Sequence, residues 1–206
     1  MLFAPIRLAI RLVSFIITGA IVYLVICAVQ VVTASRLPTS PMKIRSASAI
    51  VVVDTPATSS SAVRDMASRL KWTSRLYSAR RAKSVVIIST RSSSPVPALN
   101  SAVHTLQSEG VPSSAVVRLS SSSLMQGFSD TASRLGHGAS AIVVTDAIDA
   151  LWTEGVSTAD GLKVQISSPP SSQKIVFSEL DQLWRQASGV AVGRVIGFGR
   201  TPWAAS

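Results

Sequence analysis

The sequence predicts an α/β fold: a Rossmann-like three-layer sandwich with a mainly parallel sheet, preceded by one N-terminal transmembrane helix. Three observations predict it. Residues Leu12 to Ser35 run for 24 positions without a charge. Beyond residue 48, short runs rich in Val and Ile alternate with stretches of helical period. Those runs are apolar throughout instead of alternating, as strands covered on both faces require.

The first element is the anchor. A bilayer core about 30 Å thick needs roughly 20 apolar residues of helix, and Leu12–Ser35 is long enough. Val32-Thr33-Ala34 offers small residues at which a signal peptidase can cut. A signal h-region is only about 7–15 residues, however, so the run reads as an uncleaved span. The chain therefore divides into a tail (1–11), a transmembrane helix (12–35), a linker (36–48) with Pro38 and Pro41, and an α/β domain (49–206).

Within the domain, strands are expected at Ala49–Val53, Ser84–Ser89, Val116–Leu119 and Ala141–Thr145, with a weaker one at Lys163–Ile166. The first helix carries Val63, Met66, Ala67, Leu70 and Tyr77 on one face. A second runs over Ala98–Glu109 and stops at Gly110, with Pro112 just beyond. Leu124–Leu135 and Ala147–Thr158 are weaker helices. In Gln173–Ala187, the residues Val176, Leu180, Leu183, Trp184 and Ala187 make an apolar stripe. The Gly-rich end is ambiguous, and a final strand over Val190–Ile196 fits it. Strand–helix alternation is the signature of a parallel α/β sheet.

Charge narrows the partners. The formal net charge is +10, of which about +8 follows the apolar run. Such a surface suits anionic lipid or an anionic envelope polymer. A membrane-anchored chain with almost no interleaving of aromatic and basic residues is a poor nucleic-acid binder, and none is expected. The single cysteine, Cys27, lies in the span. Disulfides, thiolate metal sites and cysteine nucleophiles are thereby excluded from the domain.

The candidate chemistry is sparse. Ser89 with Arg91 offers an anion site at a strand-to-loop turn, since guanidinium matches phosphate or carboxylate; a surface arginine is the plainer reading. Asp54 and Asp146 both follow strands and offer a carboxylate pair for acid–base or metal work. No third ligand accompanies them, and Asp146 with Asp149 serves equally to begin a helix. His104 and His137 have no partners at metal spacing, so no metal and no cofactor is expected. No nucleophile elbow, phosphate loop or dinucleotide fingerprint occurs. Gly189, Gly193 and Gly197 have GxxxG spacing, but Arg194 and the short apolar run argue against a second span.

Serine-rich patches (59–61, 92–94, 120–123 and 167–172) each follow a strand, at the edge where parallel sheets bind ligands; surface loop filler is the plainer reading. The basic run Arg64, Arg69, Lys71, Arg75, Arg80, Arg81, Lys83 offers a surface to lipid head groups or an acidic partner, or is simply solvated. Trp72, Trp152 and Trp184 read as packing residues. Trp203, after Pro202, reads as docked or as an interface anchor.

The order and spacing of these elements resemble the ElyC/SanA/YdcF family of bacterial envelope proteins. The likeness runs from about Ala49 to Trp184. Ala49–Val53 resembles the family's opening strand, and Arg69-Leu70 with Leu76-Tyr77 its arginine-bearing first helix. Val85–Ser89 resembles its second strand, Leu106 with Gly110-Val111-Pro112 its Leu…Gly-Val-Pro turn, and Val143-Val144-Thr145 a later strand. Gly161–Val164 and the Glu179…Trp184 stretch resemble its closing elements.

The departures fall on polar positions. The glycines after the second strand are Thr90 and Arg91, and the next helix's Glu-Ala pair falls near Ala98 and Leu99. Ser120–Phe128 lacks the family's acidic and amide residues. The family's His…Arg pair falls on Asp149 and Trp152. Only Arg69 and Ser89 survive from the polar set. The resemblance therefore implies the fold with its site dismantled, a pseudoenzyme, and a domain outside the cytoplasm.

Two functions follow as expectations. The first is a non-catalytic single-pass membrane protein, an accessory or assembly subunit bound to other membrane-protein subunits of a respiratory or envelope complex. The second is a cell-envelope integrity protein that binds or processes an anionic precursor through Arg69, Ser89 and Arg91. A cytoplasm-facing regulatory domain is a weaker third.

Overall fold

A computed structural model of the chain describes residues 3–34, 40–54, 60–90, 96–170 and 180–198. The domain is an α/β sandwich on a five-stranded, all-parallel sheet: β1 (Ala49–Asp54), β2 (Val85–Thr90), β3 (Val116–Ser121), β4 (Ser140–Val144) and β5 (Lys163–Ser167). Their spatial order is β3-β2-β1-β4-β5. Val51 on β1 stands beside Val86 of β2 on one side and Val143 of β4 on the other.

Alternation along the strands feeds two cores. Ile50, Val52, Ile87 and Ile142 face α2 (Ser60–Ser78) and α3 (Val96–Ser108), meeting Leu70, Leu76, Val103 and Leu106. Val51, Val86, Ile88 and Val143 face α4 (Leu124–Leu135) and α5 (Ala150–Ala159), meeting Leu124, Phe128 and Val156. A 3₁₀ turn, Ala147–Asp149, leads from β4 into α5. The central strands are buried on both faces, which explains why they read as unbroken apolar runs.

α2 and α3 end in the same way. Arg81 N–H donates to Leu76 O and Arg80 N–H to Tyr77 O, while Val111 N–H donates to Leu106 O and Gly110 N–H to Gln107 O. Both are Schellman turns, in which the residue after the cap takes a left-handed conformation. Gly110 does so without cost at φ 93°, whereas Arg80 does so at φ 55° with a Cβ in the way.

The N-terminal helix, α1, runs over Phe3–Ala34, so it begins well before the expected span. Pro5 lies in its first turn, where a missing N–H is harmless, and nothing after it breaks the helix. Arg11–Ala34 is long and apolar enough to cross a membrane. The second half of the linker belongs to the domain: Ile44 is buried in the first core, and Ala47 N–H donates to Arg81 O.

Three expectations are corrected. α2 buries Arg69, Leu70, Trp72, Thr73, Ser74 and Leu76, while Val63 is exposed. The inward face is turned away from the apolar stripe because Thr73 and Ser74 return their hydroxyls to the carbonyls of Arg69 and Leu70 and so are buried satisfied. No strand forms over Val190–Ile196, which belongs to α6 (Leu180–Ile196). Trp184 is 46% exposed, because α6 turns Leu183, Ala187, Val190 and Ala191 inward instead. Val176 lies outside the described residues.

α6 packs on α1 and α5. Val31 of α1 joins Ile148, Leu183 and Val190 in one buried cluster, and Cys27 joins Ala187 and Ala191 in another. Gly189 allows Trp152 to approach, and the Phe198 ring fits between Gly155 and Gly193. The glycine spacing thus serves close packing against α5.

Candidate functional site

In an open parallel sheet the ligand crevice forms outside the carboxyl ends of the strands, where the strand order reverses. Here that point lies between β1, which connects outward to β2 and β3, and β4, which continues to β5. The side chain that reaches it is Arg69. α2 follows β1 and lies against the sheet, so a residue on its buried face can turn back over the end of β1. Arg69 Nη1 donates to Val53 O at 2.6 Å, and Nε lies 3.6 Å from Asp146 Oδ1. Arg69 is 1% exposed and the Asp146 side chain 21%. An ion pair between α2 and the turn after β4 therefore occupies the switch point, and the guanidinium is committed to protein acceptors.

The hydroxyls along this edge are drawn into structure. Trp72 Nε1 donates to Ser167 Oγ at 2.7 Å, tying α2 to β5. Ser121 Oγ donates to Asp130 Oδ2 at 3.2 Å, and Ser123 caps α4 by accepting from Gln126 N–H. Ser89 is buried, and of the serine patches Ser121, Ser167 and Ser168 are buried while Ser120 and Ser122 are exposed, so the reading as surface filler is corrected at those three positions; the side chains of 59–61, 92–94 and 171–172 lie outside the described residues. Ser89 stands beside Asp54 in the β1–β2 register. Ser168 Oγ has no hydrogen-bond partner among the described residues.

The expected ligand set is therefore only partly brought together. Arg69 and Ser89 both lie at the carboxyl edge, while Arg91 falls outside the described residues, as does the Asp54 side chain. The basic run divides. Arg64, Lys71, Arg75, Arg80 and Lys83 are exposed, and Arg81 is half-buried, with Nη2 3.0 Å from Met42 Sδ. Arg69 does not belong to that surface, because it sits on the inward face one turn from Met66 and Thr73. Trp203 lies outside the described residues. His104 and His137 are both exposed. Among the described residues no group of three His, Cys, Asp or Glu side chains is placed to hold a metal.

Two features escaped the sequence. The turn after β4 joins the switch point to α1. Asp146 begins it, Ile148 packs with Val31 of α1, and Asp149 Oδ1 accepts from Gln186 Nε2 of α6 at 2.5 Å. Arg194 of α6 in turn donates to Gln30 of α1. At the opposite, amino edge of the sheet, Lys43, Arg45, Ser140, Lys163 and Gln165 line a groove of about 570 Å³. Among the described residues its lining carries cations and no carboxylate, a pattern hidden by the distance between these residues in the chain.

One carboxyl group is visibly perturbed. Asp160, after α5, has its pKa raised by burial, and its Oδ2 has no hydrogen-bond partner among the described residues.

No family model, curated protein or solved structure matches the chain.

Proposed function

We propose that the chain is a non-catalytic, single-pass membrane protein whose α/β domain is an accessory or assembly subunit of a larger bacterial membrane complex, respiratory or envelope in kind. It is a divergent relative of the ElyC/SanA/YdcF proteins, with the domain on the extracytoplasmic side. The observation that carries this reading is the burial of Arg69 between Val53 O and Asp146. The cation that would recognise an anionic substrate at the switch point is held by the protein itself. The link from that turn through Ile148 to the anchor supports the same reading, since it makes the edge a joint between domain and membrane helix.

The test is affinity purification of the full chain from native membranes in mild detergent, with mass spectrometry of what accompanies it. A stoichiometric membrane complex is the expected result. Recovery of the chain alone across several detergents contradicts it.

The second reading, an envelope protein that binds or processes an anionic precursor, draws on buried Ser168, whose Oγ finds no partner among the described residues at this same edge. Arg69→Ala with Arg91→Ala separates the two, because unchanged ligand binding and envelope phenotype sink the second.

A further inference from the structure

Outside α1, the described residues expose five large apolar side chains: Met42, Val63, Trp184, Val195 and Ile196. Three of them lie on α6. At about 100° per residue, Trp184, Ser188, Val192 and Val195 fall on one stripe, with Ile196 at its margin. The other faces of α6 are occupied. Leu183, Ala187, Val190 and Ala191 pack on α1 and the turn after β4, and Gly189 and Gly193 admit Trp152 and Phe198. None of the clusters that bury α6 includes the Trp184–Val195 stripe.

The position of that stripe identifies what covers it. α1 has 32 residues, about 48 Å of helix at 1.5 Å per residue, against a hydrocarbon core of about 30 Å. Most of the surplus precedes Arg11, so α6 meets α1 in the domain-side half of its apolar stretch, at Leu24, Cys27, Ala28 and Val31, and Arg194 reaches Gln30 about one turn from its end. Upstream, Phe15, Ile16, Ile21 and Val22 are exposed apolar residues suited to lipid. The α6 stripe therefore continues the apolar surface of α1 in its domain-side half, with Val195 and Ile196, next to Arg194, near the level where α1 leaves the bilayer. Its composition fits that level. Tryptophan favours the headgroup boundary, and exposed Arg185 on the same side of α6 suits anionic lipid.

We propose that α6 is a second membrane contact. Its Trp184, Val192, Val195 and Ile196 enter the interfacial layer of the leaflet from which α1 emerges and seat the domain against the bilayer. The proposal rests on the reading of α1 as a membrane span.

The test uses the full chain in phosphatidylcholine–phosphatidylglycerol vesicles. Buried Cys27 is replaced (Cys27→Ala), and a spin label is placed in turn at Val195→Cys, Ile196→Cys, Ile21→Cys and His104→Cys. Collision with oxygen reports lipid, and collision with a nickel chelate reports water. The proposal expects the residue 195 and 196 labels to favour oxygen at a shallow depth, the residue 21 label to do so more deeply, and the residue 104 label to favour nickel. Labels at 195 and 196 as open to nickel as the label at 104, with 21 still in lipid, overturn the proposal alone. Protection of 195 and 196 from both reagents means that protein covers the stripe and equally overturns it. A residue 21 label in water overturns the anchored reading itself.

Discussion

Arg69 of α2 and Asp146, which opens the turn after β4, meet across the switch point of the sheet with Nε 3.6 Å from Oδ1. The same guanidinium holds Val53 O at 2.6 Å. Removing it with Arg69→Met deprives a buried carbonyl of its donor and a mostly buried carboxylate of this cation. Loss of about 3 kcal/mol is expected, read by urea unfolding of the detergent-solubilised chain. A ligand-binding arginine at an open edge would unfold at nearly the wild-type midpoint when replaced.

Arg80 repeats at the end of α2 the role that Gly110 plays at the end of α3, with positive φ but with a side chain. Arg80→Gly removes the Cβ clash of a left-handed residue, and the two Schellman hydrogen bonds remain. Against this, glycine loosens the unfolded chain. A gain of about 0.5–1 kcal/mol is the balance, visible as a higher unfolding midpoint with an unchanged denaturant slope. A lower midpoint would contradict it.

Gly127 lies where α4 crosses β2. A methyl group there would run into Ile88 Cγ2, and Ile88 is fully buried. Helix propensity favours alanine by about 1 kcal/mol, but overpacking a rigid β-branched side chain costs about 1–3 kcal/mol. Gly127→Ala is therefore expected to destabilise. Combining it with Ile88→Ala should cost less than the sum of the two; strict additivity would show that the two residues do not meet.

Trp72 and Ser167 join α2 to the edge strand β5 through a 2.7 Å bond. Trp72→Phe and Ser167→Ala should each cost about 1–2 kcal/mol. A double-mutant cycle should give a coupling of about 1 kcal/mol. A coupling near zero would mean the bond contributes nothing.

Asp160 gives the domain a pH signature. Its folded pKa is raised by burial, so the native state holds the proton more tightly than the unfolded one. The native state loses stability as pH rises from the ordinary carboxylate value of about 4 through the raised one, and the deficit is full above both. Asp160→Asn removes it. The variant should be the more stable at pH 7, by less than about 1 kcal/mol because the group is only partly buried, and the two should converge below pH 4. An advantage that does not change with pH would contradict this.

The strands were legible to within two residues because a strand covered on both faces must be apolar at every position, and Ile50–Val53 and Val85–Ile88 are. What the sequence left open depends on partners distant in the chain. Arg69, Thr73 and Ser74 look like surface residues until Asp146 and the carbonyls they meet are in view. Trp184 looks like core until α1 is seen to claim the neighbouring face. Val190–Ile196 reads as a final strand in an ambiguous Gly-rich end until its packing on α1, Trp152 and Phe198 is in view. The basic groove is formed by Lys43, Arg45 and Lys163, which only the strand order brings together.

The central claim is that the polar groups at the switch point hold the fold and do not hold a ligand. Replacing both partners of a buried ion pair with apolar residues is often neutral, unlike removing one. The most direct measurement is therefore the Arg69→Met/Asp146→Leu chain expressed in place of the wild type, with its unfolding midpoint, its co-purifying membrane proteins and the growth of its host read together. The account predicts a folded protein with the same partners and wild-type growth. A folded double variant that keeps its partners but fails to support the host would contradict it, and would place a working anion site at that edge.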